Sequence, residues 1–269
     1  MKNSNSGKTL LYISGNCDID NLVEEQFPGE DVFVSLYRDN TNLMLSIDDY
    51  KIHFEIRNIS QIKMEYESGL YVFYYKTEEY VFSFESRISY ELLSFFIELN
   101  VKVEIPEFIQ SRYSQMQDVA LLNLIDKERD FIASNDYFHY YDEIDEYGYS
   151  AIVESFARRA LNELPLFYIK YIDAGEKENG FLVTYNSIYS PENYISISEI
   201  RSVSFKIDIS IFDTVQCFIN NNLFTTFPIV IDAGPVPGTY VGHSLMILVE
   251  GIESLVNKIC NYRKTSKLL

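Results

Sequence analysis

Between residues 30 and 86 the chain alternates apolar and polar positions in short bursts. Val32–Tyr37, Leu43–Ile47, Tyr50–Ile56, Ile59–Met64, Leu70–Tyr75 and Tyr80–Phe84 are rich in β-branched and aromatic residues. Brief polar breaks such as Glu67-Ser68-Gly69 and Lys76-Thr77-Glu78-Glu79 separate them, a pattern that predicts an antiparallel meander. The rhythm then changes. Ser89 is placed to cap a helix, and Leu92, Leu93, Phe96 and Leu99 recur at helical spacing.

The plan repeats between residues 165 and 262. Leu166–Ile169, Phe181–Thr184, Ser187–Tyr189, Tyr194–Ile197, Ile200–Phe205, Thr214–Ile219 and Leu223–Ile231 read as strands. Gly234-Pro235-Val236-Pro237-Gly238 breaks the pattern. Ser244 is then expected to cap a helix carrying Leu245, Leu248, Val249, Ile252, Leu255, Val256 and Ile259. The segment between the repeats, 101–164, reads as helical. Phe108–Ile132 places Met116, Val119, Ala120, Leu122, Leu124 and Ile125 on one broad face, and Tyr149–Leu164 ends at Pro165. Residues 1–29 predict a strand at Thr9–Ile13 and a short helix from Asp20, stopped by Pro28-Gly29.

The stretch "GFLVTYNSIYSPENYISISEIRSV", residues 180–203, resembles bacterial PH-like and GRAM-like domains. In those domains a strand enters through a polar-Ile-x-x-Val signature, matched here by Glu199-Ile200-Arg201-Ser202-Val203. A fainter copy, "LMLSIDDYKIHFEIRNISQIK", puts Ile59-Ser60-Gln61-Ile62 at the matching place. The resemblance implies an α+β fold: two antiparallel PH-like β-units, each closed by a C-terminal helix and joined by a helical connector. The implied boundaries are an N-terminal strand and short helix at 1–29, unit 1 at 30–100, the connector at 101–164, unit 2 at 165–262 and a basic tail at 263–269. A helix laid over the open end of a bent sheet buries its apolar face at about 1.5–3 kcal/mol per large side chain. An aspartate at Leu93 or Leu248 is therefore expected to unfold its unit.

Charge narrows the partners. The formal net charge is −18, and residues 1–100 hold 17 acids against 8 bases while residues 101–164 hold 13 against 6. Such a field opposes nucleic-acid phosphates and anionic lipid, serves solubility, and attracts a basic protein. No window approaches a membrane span, and the polar start MKNSNSGKT lacks the apolar stretch of a signal peptide. Cys17, Cys217 and Cys260 are widely spaced and odd in number, which points to reduced thiols and a cytoplasmic setting.

Candidate chemistry is sparse. "NDYFHYYDEIDEYGY", residues 135–149, mixes five acids with six aromatics. On a helix, Asp136, His139, Asp142 and Glu143 have the spacing of a cation site, but Ile144 interrupts the ligand pattern of a calcium loop. The same stretch also reads as a solvated acidic face over packed tyrosines, or as a partner-binding surface of Asp136, Tyr137, Tyr140, Tyr141, Asp142, Glu143, Asp145 and Glu146. Ser6-Gly7-Lys8-Thr9 lacks the glycine five residues earlier that a phosphate loop needs, since Lys2 stands there. Residues 232–244 raise anion binding at a helix N-terminus with His243 and Ser244, or a long turn with a cap. Cys217, His243 and Ser244 have only residue type to recommend them as catalytic groups. The reading is thus a non-enzymatic protein without metal or cofactor, a recognition scaffold of bacterial or phage type, with inhibition or immunity as one form. The alternative is a lipid-headgroup or small-ligand module, which the scattered Lys51, Arg57, Lys170 and Lys177 serve poorly.

Overall fold

The computed structural model describes residues 12–14, 33–39, 41–47, 50–65, 70–76, 78–83, 89–129, 138–144, 146–171, 179–208, 214–228 and 238–266. The fold is mixed α+β, with small, open, predominantly antiparallel sheets and helices. The chain forms two compact units, Met1–Gln110 and Ser111–Leu269.

In the first unit, β1 (Tyr12–Ser14), β2 (Phe33–Asp39), β3 (Asn42–Ile47) and β4 (Tyr50–Glu55) form one antiparallel meander. A 3-10 turn, Ile56–Asn58, leads into β5 (Ile59–Glu65), β6 (Leu70–Tyr75) and β7 (Glu78–Ser83), a second meander. Phe54 of the first sheet meets Phe73 and Tyr75 of the second edge-on, with ring centroids 4.9 and 5.2 Å apart. Helix α1 (Ser89–Glu98) follows and buries Leu93, Phe95 and Phe96. Its end is fixed by Arg38 Nη1, which donates to Glu98 O at 3.1 Å, and by Asn100 at φ 58°. Asparagine tolerates that left-handed conformation, so the helix stops there. A two-residue strand, β8 (Val103–Glu104), then pairs in parallel with β5.

Helix α2 (Glu107–Met116) contains the division between the units, and α3 (Val119–Arg129) begins the second. The apolar pattern expected to run as one helix over 108–132 is split because Asp118 acts as an N-cap, accepting the Leu121 N–H at 3.3 Å. Strand β9 (Phe138–Tyr140) and helix α4 (Glu146–Ser155) follow. The helix expected over 149–164 stops at Ser155, and Arg158–Ala160 forms a 3-10 turn. The Tyr149 hydroxyl reaches the carbonyls of Ala160 and Glu163 at 2.8 and 2.7 Å, satisfying groups that a continuing helix would have used itself. The segment 101–164 therefore contributes strands as well as helices, with β8 in the first unit's sheet and β9 in the second's.

The second unit's larger sheet has the order β13-β12-β11-β10-β9, where β10 is Pro165–Lys170, β11 Gly180–Thr184, β12 Ser187–Tyr189 and β13 Tyr194–Ser196. β10 and β11 are buried on both faces, which explains their unbroken apolar runs. Tyr168, Leu182 and Tyr189 pack with Tyr149, Ile152 and Val153 of α4, while Phe167, Phe181 and Ile188 enter the main core. A 3-10 turn, Ile197–Glu199, leads to β14 (Val203–Asp208), β15 (Thr214–Ile219) and β16 (Asn222–Pro228). Helix α5 (Gly238–Ser266) closes the core with Leu248, Val249, Ile252, Leu255, Val256 and Ile259. It starts before Ser244, which lies inside it, because no proline follows Gly238 and the glycines that do, Gly242 and Gly251, stand singly.

The two 3-10 turns occupy corresponding places between meanders. Ile59 and Ile200, the residues that open the two matched motifs, each follow their turn in extended conformation and donate their N–H to Ile56 O and Ile197 O. The strand edge beyond each turn is sealed differently. Ile62 N–H donates to Lys102 O at 2.8 Å, next to β8. Val203 N–H instead donates to Asn257 Oδ1 at 3.4 Å, Asn257 Nδ2 returns to Val203 O at 2.9 Å, and Phe205 N–H donates to Glu253 Oε2 at 2.8 Å. One unit covers this edge with backbone and the other with side chains of its long helix, which removes a template for unwanted strand pairing.

Gly180 marks a close approach. A Cβ there would lie 2.3 Å from Tyr168 Cε2 and 2.4 Å from Ile169 O. The carbonyl belongs to the paired strand and cannot yield. Gly180→Ala is expected to cost about 1–3 kcal/mol, the range for forced overpacking, and to lower the urea midpoint accordingly. An unchanged midpoint would contradict this packing.

Candidate functional site

The acid- and tyrosine-rich segment is a strand and a turn. Phe138–Tyr140 lies at the edge of the larger sheet, paired with Phe167–Ile169, because Phe138 and Tyr140 both face the core. The helical spacing that would gather Asp136, His139, Asp142 and Glu143 is therefore not formed at His139, whose ring stacks 6.0 Å from Tyr168. Asp136, Tyr137 and Asp145 lie outside the described residues, as does the side chain of Glu146. Among the described residues, no group of three or more His, Cys, Asp or Glu side chains is placed to hold a metal ion.

Arg129, at the end of α3, organises what remains. Its Nη1 donates to Asp142 Oδ2 at 2.9 Å, its Nη2 to Glu143 Oε1, and its guanidinium lies 4.6 Å over the Tyr140 ring. Glu143 also accepts the Tyr140 N–H at 3.0 Å, closing the turn. Burial works against the Arg129 charge, but Asp142 and then Glu143 outweigh it and raise its pKa. Tyr140 is buried, whereas Tyr141 is half-buried with its hydroxyl on Asp126 at 3.2 Å. Asp142 and Glu143 stay exposed enough to meet another molecule, yet each already has a cation.

Two partly buried carboxylate centres lie elsewhere in this unit. Asp118 accepts the hydroxyls of Tyr262 at 2.6 Å and Tyr185 at 3.0 Å, and faces Arg263 Nη1 at 3.7 Å. Arg263 in turn donates to Tyr185 O at 2.8 Å and Asn186 Oδ1 at 3.2 Å, with its guanidinium 3.4 Å over the Tyr185 ring. This network ties the end of α5 to α3 and to the β11–β12 turn. Glu163 gathers the hydroxyls of Thr184, Ser187 and Tyr189, the latter two at 3.2 Å. Both centres have hydroxyl donors converging on a carboxylate; among the described residues neither has an imidazole beside the hydroxyl to make it a nucleophile. The thiols are equally passive. Burial pushes Cys217 upward and Cys260 up to about 12, so neither supplies a thiolate at neutral pH.

Sequence reasoning located the acidic turn but missed Arg129, Asp118, Glu163 and Arg263. A lone aspartate before an apolar run is a cap signal, and that signal at Asp118 was available. The partners 67 and 144 residues away were not.

These tyrosines make a pH prediction. Tyr140 and Tyr141 are pushed up to about 12 chiefly by burial, and Tyr262 to about 12 chiefly by its hydrogen bond to Asp118. A folded pKa above the ordinary value near 10 means the stabilisation is complete below pH 10 and is lost as pH rises toward 12. Phenolate absorbance is expected to rise late, in step with loss of ellipticity. Complete ionisation near pH 10 with the fold intact would contradict these environments.

No family model matches the chain, and no curated protein matches it significantly in sequence. Among the described residues, no helix is long and apolar enough to cross a membrane.

Proposed function

We propose that the chain is a non-enzymatic recognition protein, built of two PH-like units in tandem, whose acidic surface captures a basic protein partner. The observation that carries this reading is the charge of −18, weighted toward residues 1–164. The support for the PH-like description is the order of elements in each unit: a meander of four strands, a 3-10 turn, a meander of three and a helix, with β9 added in the second unit. The contact we favour is the turn of Tyr141, Asp142 and Glu143, beside the sheet edge. A basic side chain of the partner competes there with Arg129.

Charge-driven capture has a defined salt response, since the screening length falls from about 10 Å at 0.1 M to about 3 Å at 1 M. Immobilised protein should retain basic proteins from a cell lysate at the lower ionic strength and release them at the higher. An empty eluate, or retention indifferent to salt, would refute the proposal.

A further inference from the structure

The first meander of the first unit ends on β4, and among the described residues no strand pairs with its outer side. One bond fixes which way its amides point. Ile56 N–H donates to Thr41 O at 2.9 Å, in register with the β3–β4 pairs of Leu43 with Phe54 and Leu45 with Ile52. Hydrogen-bonded pairs alternate along an antiparallel ladder, so Ile52 and Phe54 bond to β3 while the N–H groups of Lys51, His53 and Glu55 point outward. Among the described residues nothing occupies those three N–H groups, nor the carbonyls of Lys51 and His53. The Glu55 carbonyl is taken by the 3-10 turn that follows, through its i→i+3 bond. In the same unit β5 is covered by β8.

Lys51, His53 and Glu55 also share one face of the strand, as alternate residues do. Lys51 and His53 are exposed, and Lys51 has no carboxylate partner among the described residues. The Glu55 side chain is 45% exposed, and its Oε2 accepts from Arg57 Nη2 at 2.8 Å and Asn58 Nδ2 at 2.9 Å. Its Oε1 has no bond among the described residues. The open edge thus carries a cation, an imidazole and a carboxylate at even spacing. A lysine on an edge normally discourages pairing. This spacing reverses the effect for one partner, a copy of the same strand running the other way, in which the lysine meets the carboxylate.

We infer that β4 pairs antiparallel with β4 of a second copy of the chain, about a two-fold axis at His53. The His53 N–H of each copy donates to the His53 carbonyl of the other, and each Glu55 N–H donates to the other copy's Lys51 carbonyl. Lys51 of each copy then lies directly opposite Glu55 of the other, so both opposite-charge pairs form together. The surface is self-complementary, as a two-fold interface requires. Sliding by two residues either way takes Glu55 off Lys51, so charge fixes the register. The net charge of −18 on each copy does not forbid this. At physiological salt, exposed charges beyond about 8 Å are largely screened, and the facing pairs decide the sign. This edge is separate from the acidic turn, and the inference stands whether or not that reading does.

Sedimentation equilibrium of the full chain in about 0.15 M salt tests this. A monomer–dimer equilibrium is expected, with amide exchange at His53 and Glu55 slowing as concentration rises. His53→Pro should remove the dimer and keep the ellipticity, because proline lacks the N–H and is tolerated at an edge where that N–H faces away from the sheet. Lys51→Glu and Glu55→Lys should each weaken the dimer about tenfold. An equimolar mixture of those two variants should restore it, since each chain presents the charges that the other needs. Should the proline disturb the sheet, the mixing experiment decides alone. A monomer at every concentration overturns the inference and leaves the edge to a strand of another protein. A dimer that a folded His53→Pro chain retains, or charge variants that do not recover on mixing, overturn it as well.

Discussion

Leu248→Asp should abolish cooperative unfolding of the second unit. Leu248 is 5% exposed and faces the core cluster that includes Val249, Ile252, Phe205 and Phe227. Removing the leucine side chain from such a site costs about 2–5 kcal/mol. A carboxylate buried in its place costs several kcal/mol more, unless it stays protonated. Together these reach the lower half of the roughly 5–15 kcal/mol that holds a typical domain. Far-ultraviolet circular dichroism against temperature reads the outcome directly. A transition close to that of the unaltered protein would mean that α5 does not close this core.

The second large effect is expected from Asp118→Ala. The change removes the acceptor of two tyrosine hydroxyls and of the α3 cap, and takes the carboxylate from Arg263, whose side chain is only 8% exposed. Stranding one member of a buried ion pair costs about 3–5 kcal/mol, and the lost cap adds about 1 kcal/mol. Arg263 keeps its bonds to Tyr185 O and Asn186, so the lower part of that range is the expected loss in denaturant unfolding. Asp118→Asn separates the contributions. It keeps an acceptor and a cap, should cost less, and should let the Tyr262 phenol ionise at a lower pH. Equal losses for both variants would place the effect in packing and not in charge.

The periodicity of the chain was a good guide where structure is local. Leu70–Tyr75 and Thr214–Ile219 coincide with the expected strands, and the change of rhythm at Ser89 coincides with the start of α1. It failed where a side chain overrode the pattern. Asp118 interrupts an apolar run by capping, Tyr149 draws the backbone after Ser155 into a 3-10 turn, and the capping box of Ser196 and Glu199 delays β14 until Val203. Short elements such as β8 and β9 are too brief to carry a period of two, and they form because an existing edge offers them partners. The acidic turn was legible as composition, but its neutralisation by Arg129 joins α3 to a later turn and leaves no mark in local pattern. The Arg159 guanidinium, 4.9 Å over the Tyr194 ring, is hidden for the same reason, since 35 residues separate the two.

Each of the two units holds its own core under its own helix. Hydrogen exchange on the full chain carrying Leu93→Asp tests this most directly, because Leu93 is a fully buried residue of α1 in the first unit. Strands β2–β7 should lose protection while β10, β11, β14 and β15 exchange as slowly as in the unaltered protein. Uniform loss of protection across both sets of strands would show a single cooperative body and contradict the account.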